Sequence, residues 1–222
     1  MDQLNLVHKY DHDYFECGVV TGVSGYLNYR WMPELTIRMA HHLIENLAIE
    51  RGQTILDFGC AKGFLVKAFR ILDYQAFGAD VSNYAISNAD GDVRAYCRRI
   101  YGCDDPVLFN RNYDWMIAKD VFEHIVEPDL RVLLTEAKVK VGKMFVVVPL
   151  AADDHSGEYI VPEYNRDATH VVAKSSGWWQ GFFEDLEWKT EMFATEMIGV
   201  KENWTSKWDD GNGFFILEND GR

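Results

Sequence analysis

The sequence predicts an α/β fold built on a mostly parallel sheet with helices on both faces. Three observations predict it. Helix-like and strand-like patterns alternate five times between Pro33 and Pro149. The strand-like runs are short and apolar throughout, as parallel strands buried on both sides are. Apolar residues make up 48% of the 222 residues, enough for a substantial core in one domain spanning 1–222.

The first thirty residues are rich in Tyr, Gly and Asp, lack a clear period, and read as an ordered cap over 1–32. Pro33 then opens a helix at a position where its missing N–H is harmless. Leu35, Met39, Leu43 and Leu47 follow at spacing four, with Ile44 and Ala48 beside them, and the helix ends before Gly52. Thr54 to Phe58 form a first strand, and Gly59-Cys60-Ala61-Lys62-Gly63 turns into a helix from Phe64 to Leu72. A second strand ends at Gly78-Ala79-Asp80. Tyr84 to Ala89 read as helix, Val93 to Cys97 as a third strand and Trp115 to Ala118 as a fourth. A helix begins near Pro128 and runs through Leu130, Leu133, Leu134 and Ala137. Met144 to Val148 form a fifth strand, β-branched and stopped by Pro149. Beyond a segment at about 150–180, a helix from about Ser176 to Glu187 carries Trp179, Phe182, Phe183 and Leu186. Met192 to Val200 and Phe214 to Leu217 read as a closing pair of strands.

Charge narrows the function. The chain carries 35 Asp+Glu against 22 Lys+Arg, a formal charge of −13. A protein held on phosphate backbones needs a basic footprint, and docking on anionic lipid needs one too. Arg94, Arg98, Arg99 and Arg111 come closest to one. No apolar run approaches the ~20 residues of a membrane helix. Cys17, Cys60, Cys97 and Cys103 are scattered without a C-x-x-C pair, and the N-terminus lacks a signal pattern, so reduced thiols in the cytoplasm are expected.

The informative stretch is Asp57-Phe58-Gly59-Cys60-Ala61-Lys62-Gly63. A buried strand ends in an acid and a glycine-containing turn that opens a helix, whose N-terminal N–H groups are unpaired. Asp80 lies 23 residues after Asp57, at the end of the next strand, where a carboxylate suits the two hydroxyls of a ribose. An acid before the first glycine would repel a pyrophosphate but suits the ammonium of an amino acid. A ligand with ribose at one end and a cationic amino-acid part at the other fits this layout, and S-adenosylmethionine is such a ligand.

Here the sequence resembles the class I S-adenosylmethionine-dependent methyltransferases over most of its length. Asp57 to Gly63 look like the family's D-x-G-x-G-x-G loop, with Ala61 at the middle glycine. Gly78-Ala79-Asp80-Val81-Ser82 looks like its ribose-binding acid. Asp114 to Ile125 look like its fourth strand and D-V-L-E-H-I segment, and Asp167-Ala168-Thr169-His170 also has counterparts. The resemblance implies a Rossmann-like three-layer sandwich: a mostly parallel seven-stranded sheet with an antiparallel C-terminal strand. It implies cofactor contacts at Asp57, Gly59, Ala61, Gly63, Asp80, Lys119 and Tyr14, and an adenine contact after the third strand, where Asp104 and Asp105 are the candidates. Tyr26 and Tyr29 are alternatives to Tyr14, and plain packing of the cap against the core is the alternative for all three.

Methyl transfer needs an acceptor in line with the sulfonium methyl, beyond the carboxyl ends of the strands. Asp120, Glu123 and His124 sit at i, i+3 and i+4, and a helix starting there would bring them together. Two carboxylates and an imidazole make a set of metal ligands; the alternative is a capped helix N-terminus with His124 packed on the sheet. The resemblance implies a divalent ion such as Mg at related E-x-x-E-H segments of ubiquinone-pathway O-methyltransferases and small-RNA 3′-end methyltransferases. A later histidine completes the site in the latter, a part for His170. His170, His155 and His124 are the candidate general bases, and Trp178 and Trp179 are candidate walls. The expected reaction is methylation of a small molecule, at oxygen before nitrogen, with no nucleic-acid or membrane partner. An NAD(P)-dependent oxidoreductase on a similar sheet and a non-catalytic cofactor-binding protein are the rivals; Asp57, Ala61 and the two-strand tail weigh against the first.

Overall fold

A computed structural model describes residues 9–219, so the first eight residues of the expected cap lie outside it. The helices His12–Glu16 (α1) and Gly18–Thr21 (α2) are followed by Pro33–Asn46 (α3). Strand Thr54–Phe58 (β1), helix Phe64–Ile71 (α4), strand Gln75–Asp80 (β2) and helix Asn83–Ser87 (α5) come next. Strands Cys97–Arg99 (β3) and Tyr113–Lys119 (β4), helix Glu127–Lys140 (α6) and strand Val141–Pro149 (β5) complete the parallel part. Helix Ser176–Asp185 (α7), strand Trp188–Ala194 (β6), helix Glu202–Thr205 (α8) and strand Asn212–Asn219 (β7) close the chain.

The seven strands form one sheet in the order β3-β2-β1-β4-β5-β7-β6. β1 to β5 pair in parallel, β7 runs antiparallel to β5, and β6 runs antiparallel to β7. This is the expected Rossmann-like methyltransferase sheet. Alternation along each strand divides the core between two faces. Ile55, Ile117, Phe145 and Val147 pack against α3 and α4 through Leu43, Val66 and Phe69. Leu56, Met116, Met144 and Val146 pack against α6 and α7 through Leu130, Leu134, Trp179 and Phe183.

Three elements differ from expectation. The third strand is only Cys97–Arg99, because residues 94–96 close a 3-10 turn instead. The sixth strand lies earlier, at Trp188–Ala194, where register with β7 pairs Trp188 with Asn219; Met197 and Val200 make only an isolated bridge. No helix starts at Asp120. That residue takes the left-handed conformation (φ 57°), residues 122–124 form a 3-10 turn, and α6 begins at Glu127. Among the described residues no helix is long and apolar enough to cross a membrane.

Candidate active site

β1 pairs with β2 on one side and β4 on the other, so the strand order reverses there and the connections leave in opposite directions. Register Phe58↔Ala79 and Lys119↔Val147 sets the carboxyl ends of these strands along one edge. A cleft of about 950 Å³, counting its open mouth, lies along that edge. Gly59, Ala61, Asp80 and Asp120 line it from the strand ends, and Tyr10, Tyr14 and Tyr26 from the cap.

The loop after β1 is shaped by its small residues. Gly59, Ala61 and Gly63 all have positive φ (77°, 48° and 74°). A Cβ on Gly59 would come within 2.4 Å of Val121, and one on Gly63 within 2.6 Å of the Cys97 sulfur, so both positions need the missing side chain as well as the conformation. Asp80 anchors the loop: its Oδ2 accepts from the Ala61 N–H and its Oδ1 from the Ser82 N–H, each at 2.7 Å. Burial raises the Asp80 carboxyl, and those two N–H groups oppose the shift. Asp57 is buried behind Gly59 and does not line the cleft; burial, reinforced by Asp80 and opposed by Lys119, lifts its carboxyl to about 7.

The cap is pinned to this loop. Lys62 pairs with Glu16 and donates to the Tyr29 carbonyl at 2.9 Å, and Tyr84 Oη donates to Glu16 at 3.1 Å. Ser82 Oγ donates to the Tyr10 carbonyl at 2.5 Å. Tyr14 is thereby held in the cleft wall, whereas Tyr29 packs over Phe64.

The segment between β5 and α7 folds back over the exit of β4. The Val171 and Val172 N–H groups both donate to the Glu123 carbonyl, at 2.8 and 3.1 Å. This brings Glu123, His124 and His170 together, with one ligand atom of each within 4.8 Å of the others. His170 donates from Nδ1 to the Tyr164 carbonyl at 2.8 Å, leaving Nε2 open. Thr169 Oγ1 donates to Asp167 Oδ1 at 2.5 Å, so its single proton is committed. It must therefore accept from His124 Nδ1 at 2.8 Å, which leaves His124 Nε2 with a lone pair. Burial, then the neighbouring His170, lowers His124 to about 4, and burial lowers His170 as well, so both rings are neutral at pH 7. Glu123 is 1% exposed, its Oε2 has no hydrogen-bond partner among the described residues, and burial with Asp120 pushes its carboxyl well above the ordinary range.

Asp120 stands apart from this cluster. It pairs with Lys119 and Lys201 at 2.5 Å each. Against the upward push of burial, these ammoniums hold its carboxyl well below the usual range. The cluster therefore forms without Asp120, and Lys119 is spent on that pair and does not line the cleft. His155 sits in an exposed loop, its N–H on Asp153, outside the cleft. Trp179 is fully buried and Trp178 stacks on Phe182; neither lines the cleft. Asp105 ties its own turn, accepting from the Tyr101 and Val107 N–H groups at 2.8 and 2.9 Å, and neither it nor Asp104 lines the cleft. Sequence reasoning gave no part to Lys201, which arrives from the β6–β7 connection with no local signal. It also passed over Thr169 as the partner of His124, although that hydroxyl lies within Asp167-Ala168-Thr169-His170.

No curated protein matches the chain by sequence. Among solved structures, a chain of the complex between the Haloferax volcanii Trm112 methyltransferase activator and a putative methyltransferase superposes with TM-score 0.62 at 16% identity, over 85% of this chain and 91% of that one. An S-adenosylmethionine-dependent methyltransferase from Clostridium acetobutylicum gives 0.58 at 12% identity, over 82% and 90%. Magnesium protoporphyrin IX methyltransferase from Synechocystis, with bound SAH, gives 0.58 at 10%, over 99% and 94%. The methyltransferase-domain family matches residues 30–191, from the approach to α3 into β6. That span takes in the whole glycine loop and the point where the strand order reverses, so the chain belongs to this family and is a class I methyltransferase that uses S-adenosylmethionine.

Proposed function

We propose that the protein methylates a small molecule at oxygen, with nitrogen second, and that Glu123, His124 and His170 hold a divalent metal beside the transferred methyl. The observation that carries this is the convergence of Glu123, His124 and His170, one ligand atom of each within 4.8 Å of the others, with an oxygen of the buried Glu123 carboxyl unpartnered among the described residues. The residues fit a metal. Each imidazole has its other nitrogen fixed, by Thr169–Asp167 or by the Tyr164 carbonyl, as outer-shell partners of metal ligands do. Two imidazoles and one carboxylate suit Zn, Mn, Fe, Co or Ni better than Mg, which prefers an all-oxygen shell.

The chain's own part is positioning. Asp80 receives the ribose hydroxyls, and Gly59, Ala61 and Gly63 let the backbone approach the amino-acid end. Asp57, behind the loop, supplies negative potential there. Tyr10, Tyr14 and Tyr26 of the cap line the cleft, and the 150–180 segment frames the acceptor. Holding the two substrates in line at ~3 Å supplies ~7–11 kcal/mol of the barrier. A bound metal would polarise an acceptor oxygen as a Lewis acid. The excess acidity of residues 151–222, 15 Asp+Glu against 6 Lys+Arg, favours a neutral or cationic acceptor over a polyanion. Four free cysteines suit a reducing compartment such as the cytoplasm.

The test is metal content by mass spectrometry together with methyl transfer to a panel of hydroxyaryl and amine acceptors before and after exhaustive chelation. One equivalent of a d-block metal, lost in Glu123→Ala and His170→Ala, with chelation abolishing turnover, is the expected result. Turnover that survives chelation eliminates the metal and leaves His124 Nε2 as the general base.

A further inference from the structure

A second group of metal-ligand side chains lies on the cap, outside the cleft. His12, Asp13 and Cys17 each offer one ligand atom within 4.8 Å of the others, and none of the three lines the cleft. The local fold explains the convergence. Asp11 caps α1, its Oδ1 accepting from the Asp13 and Tyr14 N–H groups at 3.0 and 3.3 Å, so the Asp13 carboxylate is not spent on starting the helix. The Cys17 N–H donates to the Asp13 carbonyl at 3.1 Å, which sets residues 13 and 17 on one face, a turn apart. His12 Nδ1 meets Asp13 Oδ1 at 3.0 Å.

These atoms are uncommitted elsewhere. Among the described residues the His12 and Asp13 side chains hydrogen-bond only to each other, and the free Cys17 thiol makes no hydrogen bond. Ligands ~2.0–2.3 Å from a tetrahedral ion stand about 3.3–3.8 Å apart. The imidazole and carboxylate already meet that spacing, and the thiol has to close by no more than about 1 Å. The His12 and Asp13 side chains are 60% and 63% exposed, so rotation about their own χ angles can supply it. A thiolate with an imidazole and a carboxylate selects zinc over magnesium or calcium.

We propose that His12, Asp13 and Cys17 bind a zinc ion on the outer side of α1, separate from the Glu123 cluster. The ion braces the turn whose inner side, Tyr14 and Phe15, is buried and walls the cleft. Binding releases the Cys17 thiol proton to solvent and leaves a fourth position for water. The site is exposed and exchanges with solvent, so it fills when metal is added.

The experiment is titration of the full chain, kept reduced with a phosphine, with cobalt(II) in place of zinc, followed by absorption. The Glu123 cluster contains no thiol, so a thiolate-to-cobalt charge-transfer band in the near ultraviolet reports the cap site alone. The band should saturate at one equivalent, persist in the Glu123→Ala/His170→Ala protein, collapse on addition of zinc and be absent from Cys17→Ser. His12→Ala should weaken cobalt by ~tenfold or more. No band in the wild-type protein, or a band that survives in Cys17→Ser, overturns the site. Calorimetry with S-adenosylhomocysteine tests the brace. Zinc should tighten that ligand by ~fivefold or more in the wild-type protein and leave Cys17→Ser unchanged, since coupling between two sites is reciprocal. Equal affinity with and without zinc, or the same gain in Cys17→Ser, overturns the brace.

Discussion

Replacing Asp80 tests the centre of the cofactor site because its carboxylate has two jobs. One is internal: Oδ2 and Oδ1 accept the Ala61 and Ser82 N–H groups at 2.7 Å. The other, in the proposed function, is to receive the ribose. Removing a charged acceptor from a ligand donor costs about 1.5–3 kcal/mol, so Asp80→Ala should weaken S-adenosylhomocysteine by a factor of roughly 10 to 150. Ser82 is fully buried, so its N–H has no water to turn to, whereas Ala61 is only half-buried. The orphaned Ser82 donor should cost about 1–3 kcal/mol, a melting shift of about 2–12 °C for a chain of this size. Asp80→Asn keeps one acceptor oxygen and should fall between wild type and Ala in both measurements. The assays are calorimetric titration at pH 7.5 and thermal unfolding of the ligand-free proteins. An Asp80→Ala protein that binds within twofold of wild type refutes the ribose assignment. Unchanged melting refutes the anchoring role.

Two further outcomes follow from the same edge of the sheet. Burial, reinforced by Asp80, lifts the Asp57 carboxyl to about 7, and an ammonium beside it would favour the ionised form. Below that pH the ligand must displace a proton. Affinity for S-adenosylhomocysteine should therefore fall as pH drops below about 7, by up to ~tenfold per unit, and Asp57→Asn should flatten the profile; a wild-type profile flat from pH 5.5 to 8 removes Asp57 from the ammonium site. Gly59→Ala combines a left-handed backbone with a Cβ within 2.4 Å of Val121, while Gly22→Ala has similar φ and open space. The first should cost about 2–5 kcal/mol and abolish cofactor binding, the second about 1–2 kcal/mol with binding intact; equal losses in thermal unfolding would show that conformation alone matters.

Much of this was legible in the residues. β1, β4 and β5 read directly because their short, mostly apolar runs of four or five residues, Thr54–Phe58, Trp115–Ala118 and Met144–Val148, have few alternatives to a doubly covered strand. The glycine loop read because a positive φ and a close neighbour both select for a missing Cβ. β3 and β6 read less well. β3 is a three-residue edge strand, and β6 is placed by its ladder to β7, so each owes its extent to a partner distant in sequence. The spacing of Asp120, Glu123 and His124 pointed toward one helical turn, but the left-handed Asp120 breaks that geometry and Lys201 captures its carboxylate from 81 positions away.

The residues alone specify the sheet, the glycine loop after β1 and the acid that ends β2. These depend on local periodicity and on backbone conformations open to only a few residue types. The tertiary structure alone decided which titratable groups meet. His170 reaches Glu123 and His124 because two backbone N–H groups of the 150–180 segment bond to the Glu123 carbonyl. Asp120 is withdrawn by two lysines. Charges and lone pairs act through space over a few ångströms, and the fold brings together side chains that the sequence holds tens of residues apart.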